Sequence, residues 1–165
     1  MAKRNNNSSI PTPPSEPTIT SLKKHHTKSL EGKARLNYEI GNDSADRLYL
    51  RIVSNSGGGF FSDEWVAFDA ILKTLQAWSE DLPITSPALR TLFKGKSVNT
   101  PSFLLAALLR EEVIQRMEGK QRHYEIGDVA GFRKRMEILK PRDSASAKRP
   151  PKARAKAVTG MAKQV

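Results

Sequence analysis

Two hydroxyl–proline pairs, Ser86-Pro87 and Thr100-Pro101, constrain the fold more than any other feature of the sequence. A serine or threonine caps the first turn of a helix, and proline is favoured at the first helical position because its missing N–H needs no partner there. The pattern predicts a helix over 87–95, a short turn after Gly95, and a second helix over 101–112.

Two hairpins are predicted on either side of these helices. Apolar and polar residues alternate over 36–40 and again over 48–52, with the turn sequence GNDSAD between them. This period of two is typical of a β-hairpin. A second hairpin is predicted over 113–126, because β-branched and aromatic residues flank the turn sequence EGKQR.

Two further helices complete the predicted core. Ser62, followed by two acidic residues, has the features of a cap for a helix over 62–78, in which Trp65 and Trp78 belong to an apolar stripe. The alternative for these tryptophans is base stacking. Asp128 is predicted to cap a last helix, with Phe132 and Met136 on one face.

The charge distribution divides the chain into three parts. Residues 1–33 hold six Lys/Arg and two Glu, and residues 140–165 hold eight Lys/Arg and one Asp. Both ends are also rich in proline or in small polar residues, so we predict two disordered basic tails. Residues 34–139 have equal numbers of basic and acidic groups and form the predicted folded domain.

Several classes of function are disfavoured by the composition. Cysteine is absent, His25-His26 has no third ligand nearby, and the adjacent carboxylates Glu111 and Glu112 do not face each other on a helix. We therefore predict no enzymatic activity, catalytic residue, cofactor, metal or small-molecule substrate. No apolar run approaches the roughly 20 residues of a membrane span. The expected location is the cytoplasm. We also expect a bacterial source, in which case the protein would be associated with the nucleoid.

The order of helix, turn, helix and basic-tipped hairpin resembles the winged helix-turn-helix superfamily. The residues that carry this resemblance are LLREEVIQRMEGKQRHYEIGD, residues 108–128. The resemblance implies a small α+β winged-helix-like domain, here with an added N-terminal β-hairpin. It also implies that DNA is the partner and that the start of helix 101–112 enters the major groove.

The candidate nucleic-acid-binding residues fall into two groups. By position in the resemblance, the folded part supplies Arg90, Lys94, Lys96, Asn99, Thr100, Ser102, Arg116, Lys120 and Arg122. The C-terminal tail adds cations that would release counterions from phosphates: Lys148, Arg149, Lys152, Arg154 and Lys156. RNA remains open as a partner beside DNA.

The expected function is non-enzymatic DNA binding, as a small transcriptional regulator or as an accessory factor of replication or of a mobile element. Helix 101–109 leaves an alternative open, because it is apolar all round and such helices are usually buried. Its second face could pack against helix 129–139, against the N-terminal hairpin, or against a second copy in a homodimer. In the last case the domain is a protein-interaction or dimerisation module.

Overall fold

The computed structural model describes residues 17–78 and 81–140, which form an α+β fold around one apolar core. Within these ranges the fold combines a four-stranded antiparallel sheet, in the order β1-β2-β3-β4, with helices and a two-stranded hairpin. The elements in chain order are β1 (Thr20–Lys28), β2 (Arg35–Asn42), β3 (Leu48–Asn55), β4 (Val66–Ala67), α1 (Phe68–Gln76), a 3-10 helix (Ser86–Phe93), α2 (Thr100–Arg110), β5 (Ile114–Arg116), β6 (Tyr124–Ile126) and α3 (Val129–Leu139).

The hairpin predicted over residues 36–52 is confirmed as β2 and β3. These strands pair antiparallel, with Ile40 opposite Leu50 and Tyr38 opposite Ile52. All four side chains are buried in the cluster that also contains the apolar residues of α1 and α2. The alternation of the sequence therefore marks the face of the sheet that the helices cover.

Asp43 closes the turn between β2 and β3. Its carboxylate accepts hydrogen bonds from the N–H groups of Ala45 and Arg47 at 2.9 and 3.0 Å. It also accepts from Arg47 Nε at 2.7 Å and from the Tyr49 hydroxyl at 3.0 Å. Burial by itself would raise the pKa of Asp43, but these hydrogen bonds outweigh burial and lower the pKa.

This lowered pKa predicts a loss of stability in acid. A carboxyl group with a depressed folded-state pKa stabilises the fold above its unfolded pKa, and that contribution disappears as the pH falls through the folded value. At pH values below about 4, we expect the urea concentration at the unfolding midpoint to decrease. Asp43→Asn should lower this midpoint at neutral pH and should make its decrease in acid smaller. Asp63→Asn, at an exposed position, is the control. Equal profiles for both variants would contradict the role of Asp43.

The prediction of a disordered tail over 1–33 is wrong for residues 20–28, which form β1. This strand pairs with β2 along its length, from Thr20 opposite Asn42 to Lys28 opposite Arg35. Leu22 from this strand packs against the core. Residues 1–16 and 141–165 lie outside the described residues, so the disorder predicted there stays a prediction.

The helix predicted over 62–78 begins later, at Phe68. Ser62 therefore lies six residues before the helix and does not cap it, and its N–H donates to Thr100 Oγ1 at 2.8 Å. Val66 and Ala67 instead form β4 and pair with β3. The residues expected in the first helical turn therefore extend the sheet and tie it to the start of α2.

The two tryptophans occupy different environments. Trp78 packs against the core and donates from Nε1 to the Pro83 carbonyl at 3.2 Å, as expected for a core residue. Trp65 is half-buried, and the Arg51 guanidinium lies 4.5 Å from its ring centre. Its surroundings are therefore a cation–π contact on the sheet rather than the helix stripe that the sequence predicts.

Both hydroxyl–proline pairs mark helix starts, although the first helix is a 3-10 helix. Helix α2 is apolar all round, and neighbouring elements cover its faces: the 3-10 helix packs on one side, and strands β1 and β3 pack on another. Its residues 104–108 are at most 2% exposed. Of the three packing partners left open for this helix, the N-terminal sheet is observed to cover it. The dimerisation alternative stays a prediction.

The second predicted hairpin is confirmed as β5 and β6, with Ile114 opposite Ile126. Ile84, which precedes the 3-10 helix, forms an antiparallel bridge to Tyr124 of β6. The predicted cap of the last helix is also confirmed, because the Asp128 carboxylate accepts from the Gly131 N–H at 2.8 Å. The hairpin is thus fixed between the 3-10 helix and α3.

Candidate nucleic-acid interface

A groove of about 640 Å³ lies between the β5–β6 hairpin and the turn that joins β1 to β2. Five segments that are distant in the sequence line it. Its polar and glycine residues include Glu31 and Lys33 from the β1–β2 turn, Gly57 and Gly58 from the loop after β3, Thr85 and Ser86 at the start of the 3-10 helix, Asn99 and Ser102 from the start of α2, and Arg122 and His123 from the hairpin. The groove therefore brings three of the predicted site residues together.

The hairpin side of the groove is held in place by backbone hydrogen bonds. The Ile84 N–H donates to the Tyr124 carbonyl at 2.8 Å, and the Tyr124 N–H donates back to Ile84 at 3.0 Å. Gly119 at the tip has a φ of 68°, in the left-handed region that glycine adopts without strain. Strand β6, which follows the basic tip, is therefore bridged to Ile84, two residues before the 3-10 helix.

The predicted cations of the hairpin differ in their availability. The Arg116 guanidinium folds back and donates to the Gln121 carbonyl at 2.7 Å. Lys120 and Arg122 are exposed, and no carboxylate in the described ranges lies within 4 Å of either. These two side chains can therefore contact an external anion without first breaking an ion pair.

The predicted contact residues at the start of α2 are mostly engaged inside the protein. Thr100 is 2% exposed and accepts from the Ser62 N–H, so the prediction that it reaches a phosphate or a base is wrong. Asn99 Nδ2 donates to the Phe60 carbonyl at 2.8 Å, and Ser102 Oγ donates to the Asn99 carbonyl at 2.7 Å. Asn99 and Ser102 still line the groove, with part of their hydrogen-bonding capacity already used.

The remaining predicted cations of the folded part lie in a second depression of about 480 Å³ beside the 3-10 helix. Arg90 and Lys94 are exposed there, and among residues 17–78 and 81–140 no carboxylate comes within 4 Å of them. Lys96 is instead ion-paired with Glu64. Ser97 lines this depression and Asn99 lines the groove, so the segment just before α2 borders both recesses.

A further cationic cluster on β1 was missed by the sequence prediction. The pKa of His26 is lowered, chiefly by the positive charge of Arg35, with smaller effects of burial, His25 and Arg110. The ends of β1, β2 and α2 thus place like charges close together. No local pattern signals this cluster, because Arg110 reaches it only through the packing of α2 on the sheet.

The five predicted tail cations, Lys148, Arg149, Lys152, Arg154 and Lys156, lie outside the described residues. Their contribution to binding therefore remains a prediction. Within 17–78 and 81–140, no group of three His, Asp or Glu side chains is placed to hold a metal ion. The described helices include none that combines the length and the apolar character needed to cross a membrane.

Known proteins offer no match to this chain, whether as protein-family models, curated sequences or solved structures. The chemistry of the surface is then the basis for any functional assignment. Exposed guanidinium and ammonium groups, together with amide and hydroxyl groups around a groove, are suited to binding an anionic backbone.

Proposed function

We propose that the protein is a non-enzymatic DNA-binding protein that contacts the sugar–phosphate backbone through the groove and the 3-10 helix. The observation that carries this proposal is the composition of the groove, where the cation Arg122, unpaired among the described residues, lies with Asn99 and Ser102, and where Lys33 is ion-paired with Glu31 at 3.3 Å. Basic side chains neutralise phosphates and release counterions, while amide and hydroxyl groups position the backbone.

The order of elements supports a winged-helix-like origin for this half of the fold. Helix α1, the 3-10 helix, α2 and the β5–β6 hairpin follow one another as the resemblance implies. The tip of the hairpin also carries the exposed cations Lys120 and Arg122, which suits a wing that lies along DNA.

The mode of binding that we propose differs from the usual reading of the major groove by a recognition helix. Strands β1 and β3 cover α2, and Thr100 at its start is buried. Backbone contacts carry little sequence information. We therefore favour an accessory role in replication or in a mobile element over a sequence-reading transcriptional regulator.

Reversing the charge of the hairpin tip tests the proposal. Lys120→Glu combined with Arg122→Glu in the full chain is expected to weaken binding to duplex DNA about tenfold at low salt. The slope of log affinity against log salt should become shallower by about 1.8, because each lost phosphate contact removes about 0.9. Fluorescence anisotropy titrations over a series of salt concentrations measure both quantities.

The matched control reverses two exposed cations that do not line either recess, Lys73 on α1 and Lys134 on α3. This control has the same net charge as the hairpin variant but leaves the groove unchanged. Only a small loss of affinity is expected for it. Equal losses in the two double variants would mean that total charge, and not the hairpin, determines binding.

A further inference from the structure

Phe60 exposes its ring beside the cations of the 3-10 helix. The side chain is 73% exposed, and its neighbour in the same depression, Val98, is 87% exposed. Arg90 and Lys94 line this depression as well. Large apolar side chains that are exposed side by side often mark a contact site, and here that site is rimmed by positive charge.

The outward position of Phe60 is fixed by the surrounding backbone. Its carbonyl accepts hydrogen bonds from Asn99 Nδ2 at 2.8 Å and from Ser97 Oγ at 3.4 Å. The next residue, Phe61, packs against the core and meets the edge of Phe103 with 6.5 Å between ring centres. With its carbonyl tied to the start of α2 and its neighbour packed inward, Phe60 is held at the surface.

The glycines before Phe60 give the loop the shape that this position requires. Gly58 and Gly59 have φ values of 72° and 83°, in the left-handed region that residues with a Cβ rarely adopt. The aromatic ring therefore stands on a defined loop that lies between the groove and the second depression. This arrangement preorganises the ring for a planar ligand.

We propose that Phe60 stacks on an unpaired base of single-stranded DNA, whose phosphates contact Arg90 and Lys94. An aromatic side chain flanked by cations is the combination that single-strand binding uses, because every base offers a π-face and every nucleotide a negative charge. The absence of carboxylates within 4 Å of Arg90 and Lys94, among the residues described, favours such an anionic occupant.

This inference rests on the proposed DNA binding and specifies the form of DNA. Bases inside a duplex are stacked on one another, so the ring can reach a base only where the strands are unpaired. A duplex held in the groove and continued by a single strand across the second depression would use both recesses. The preferred ligand is therefore a duplex with a single-stranded extension.

The test compares a blunt duplex with the same duplex carrying an oligothymidine extension, using the full chain and anisotropy titrations. The wild-type protein is expected to bind the extended DNA about tenfold more tightly, and Phe60→Ala should lose this preference while its affinity for blunt DNA changes less than about twofold. Ile138→Ala, which removes another exposed apolar side chain, should keep the preference. Phe60→Trp should also keep it, with its fluorescence quenched by oligothymidine.

The outcomes separate this inference from the proposed function. If blunt duplex binds but Phe60→Ala keeps the preference, or no preference exists, the stacking site is overturned and the DNA-binding proposal stands. If neither DNA binds, both proposals fall. If Phe60→Ala changes no DNA affinity but lowers the molecular mass in sedimentation, the patch is a protein contact and the stacking site is again overturned.

Discussion

Removing residues 1–33 is expected to abolish cooperative unfolding, whereas removing residues 1–16 is expected to preserve it. The longer deletion takes away β1, which pairs with β2 from Thr20 to Lys28. It also uncovers part of α2, whose residues 104–108 are all apolar and depend on the sheet for burial. A domain is stabilised by only about 5–15 kcal/mol in total, so the loss of a packed strand is a large fraction of its stability.

Urea titrations followed by circular dichroism measure the outcome for both deletions. The chain that starts at residue 17 should show one sigmoidal transition close to that of the full protein. The chain that starts at residue 34 should show none, or should aggregate through the uncovered edge of β2. A cooperative transition with an unchanged midpoint in the shorter chain would show that β1 is dispensable. DNA binding by the folded part is therefore best measured on a chain that keeps β1.

The elements that could be predicted from sequence are those whose signals are local. The β2–β3 hairpin follows from alternation of apolar and polar residues, and α2 follows from its threonine–proline start. The start of α3 at Asp128 could also be predicted, because the Asp128 cap and the Gly131 N–H that it accepts from are only three residues apart. In each case the physical cause lies within a few residues of the element that it forms.

The elements that the sequence misplaces depend on contacts between distant residues. β1 has cations and histidines, not apolar residues, at most of its positions, and it is an edge strand, where lysine discourages pairing with other chains. Ser62 has the features of a cap, but Val66 and Ala67 pair with β3 and delay the helix to Phe68, while the Ser62 N–H donates to Thr100, which is 38 residues away. Local propensity cannot anticipate either arrangement.

The candidate site shows the same division. Arg90, Lys94, Lys120 and Arg122 are exposed, as their charge alone would suggest. The groove could not be predicted, because it brings Lys33 and the glycine loop next to the hairpin only after the sheet has folded over α2. The burial of Thr100 also depends on this folding of the sheet over α2. Thr100 is chosen by analogy with a recognition helix, and its predicted contact with DNA is the one that is wrong.

Glu111→Ala is expected to lower the free energy of unfolding by about 3 kcal/mol, because it removes the buried carboxylate that accepts from Lys23, whose side chain is 27% exposed, and from the buried Tyr38 hydroxyl. The Glu111 side chain is 3% exposed and accepts from Lys23 Nζ at 2.7 and 2.8 Å and from the Tyr38 hydroxyl at 2.6 Å. Burial, together with this hydrogen bond, raises the pKa of Tyr38 well above its usual range, so the hydroxyl remains a neutral donor. Urea denaturation at neutral pH measures the loss.

Glu112→Ala is the matched control, because it removes the adjacent carboxylate at a side chain that is 73% exposed. Its ion pair with Arg135 at 3.4 Å is a surface contact, so the expected loss is less than about 1 kcal/mol. Equal losses for the two variants would contradict the assignment of a structural role to Glu111. The backbone carbonyl of Glu111, which accepts from Arg135 at 2.6 Å, is unaffected by the substitution to alanine.

Replacing the two partners of Glu111 tests why Glu111→Ala lowers the free energy of unfolding. If Glu111→Ala destabilises by leaving Lys23 and the Tyr38 hydroxyl without an acceptor, adding Lys23→Met and Tyr38→Phe should recover much of the stability, since no buried polar group then lacks a partner. Such recovery is a non-additive effect between residues in contact. If the three losses simply add, the carboxylate stabilises the fold independently of these partners, and β1 is held to α2 by apolar packing alone.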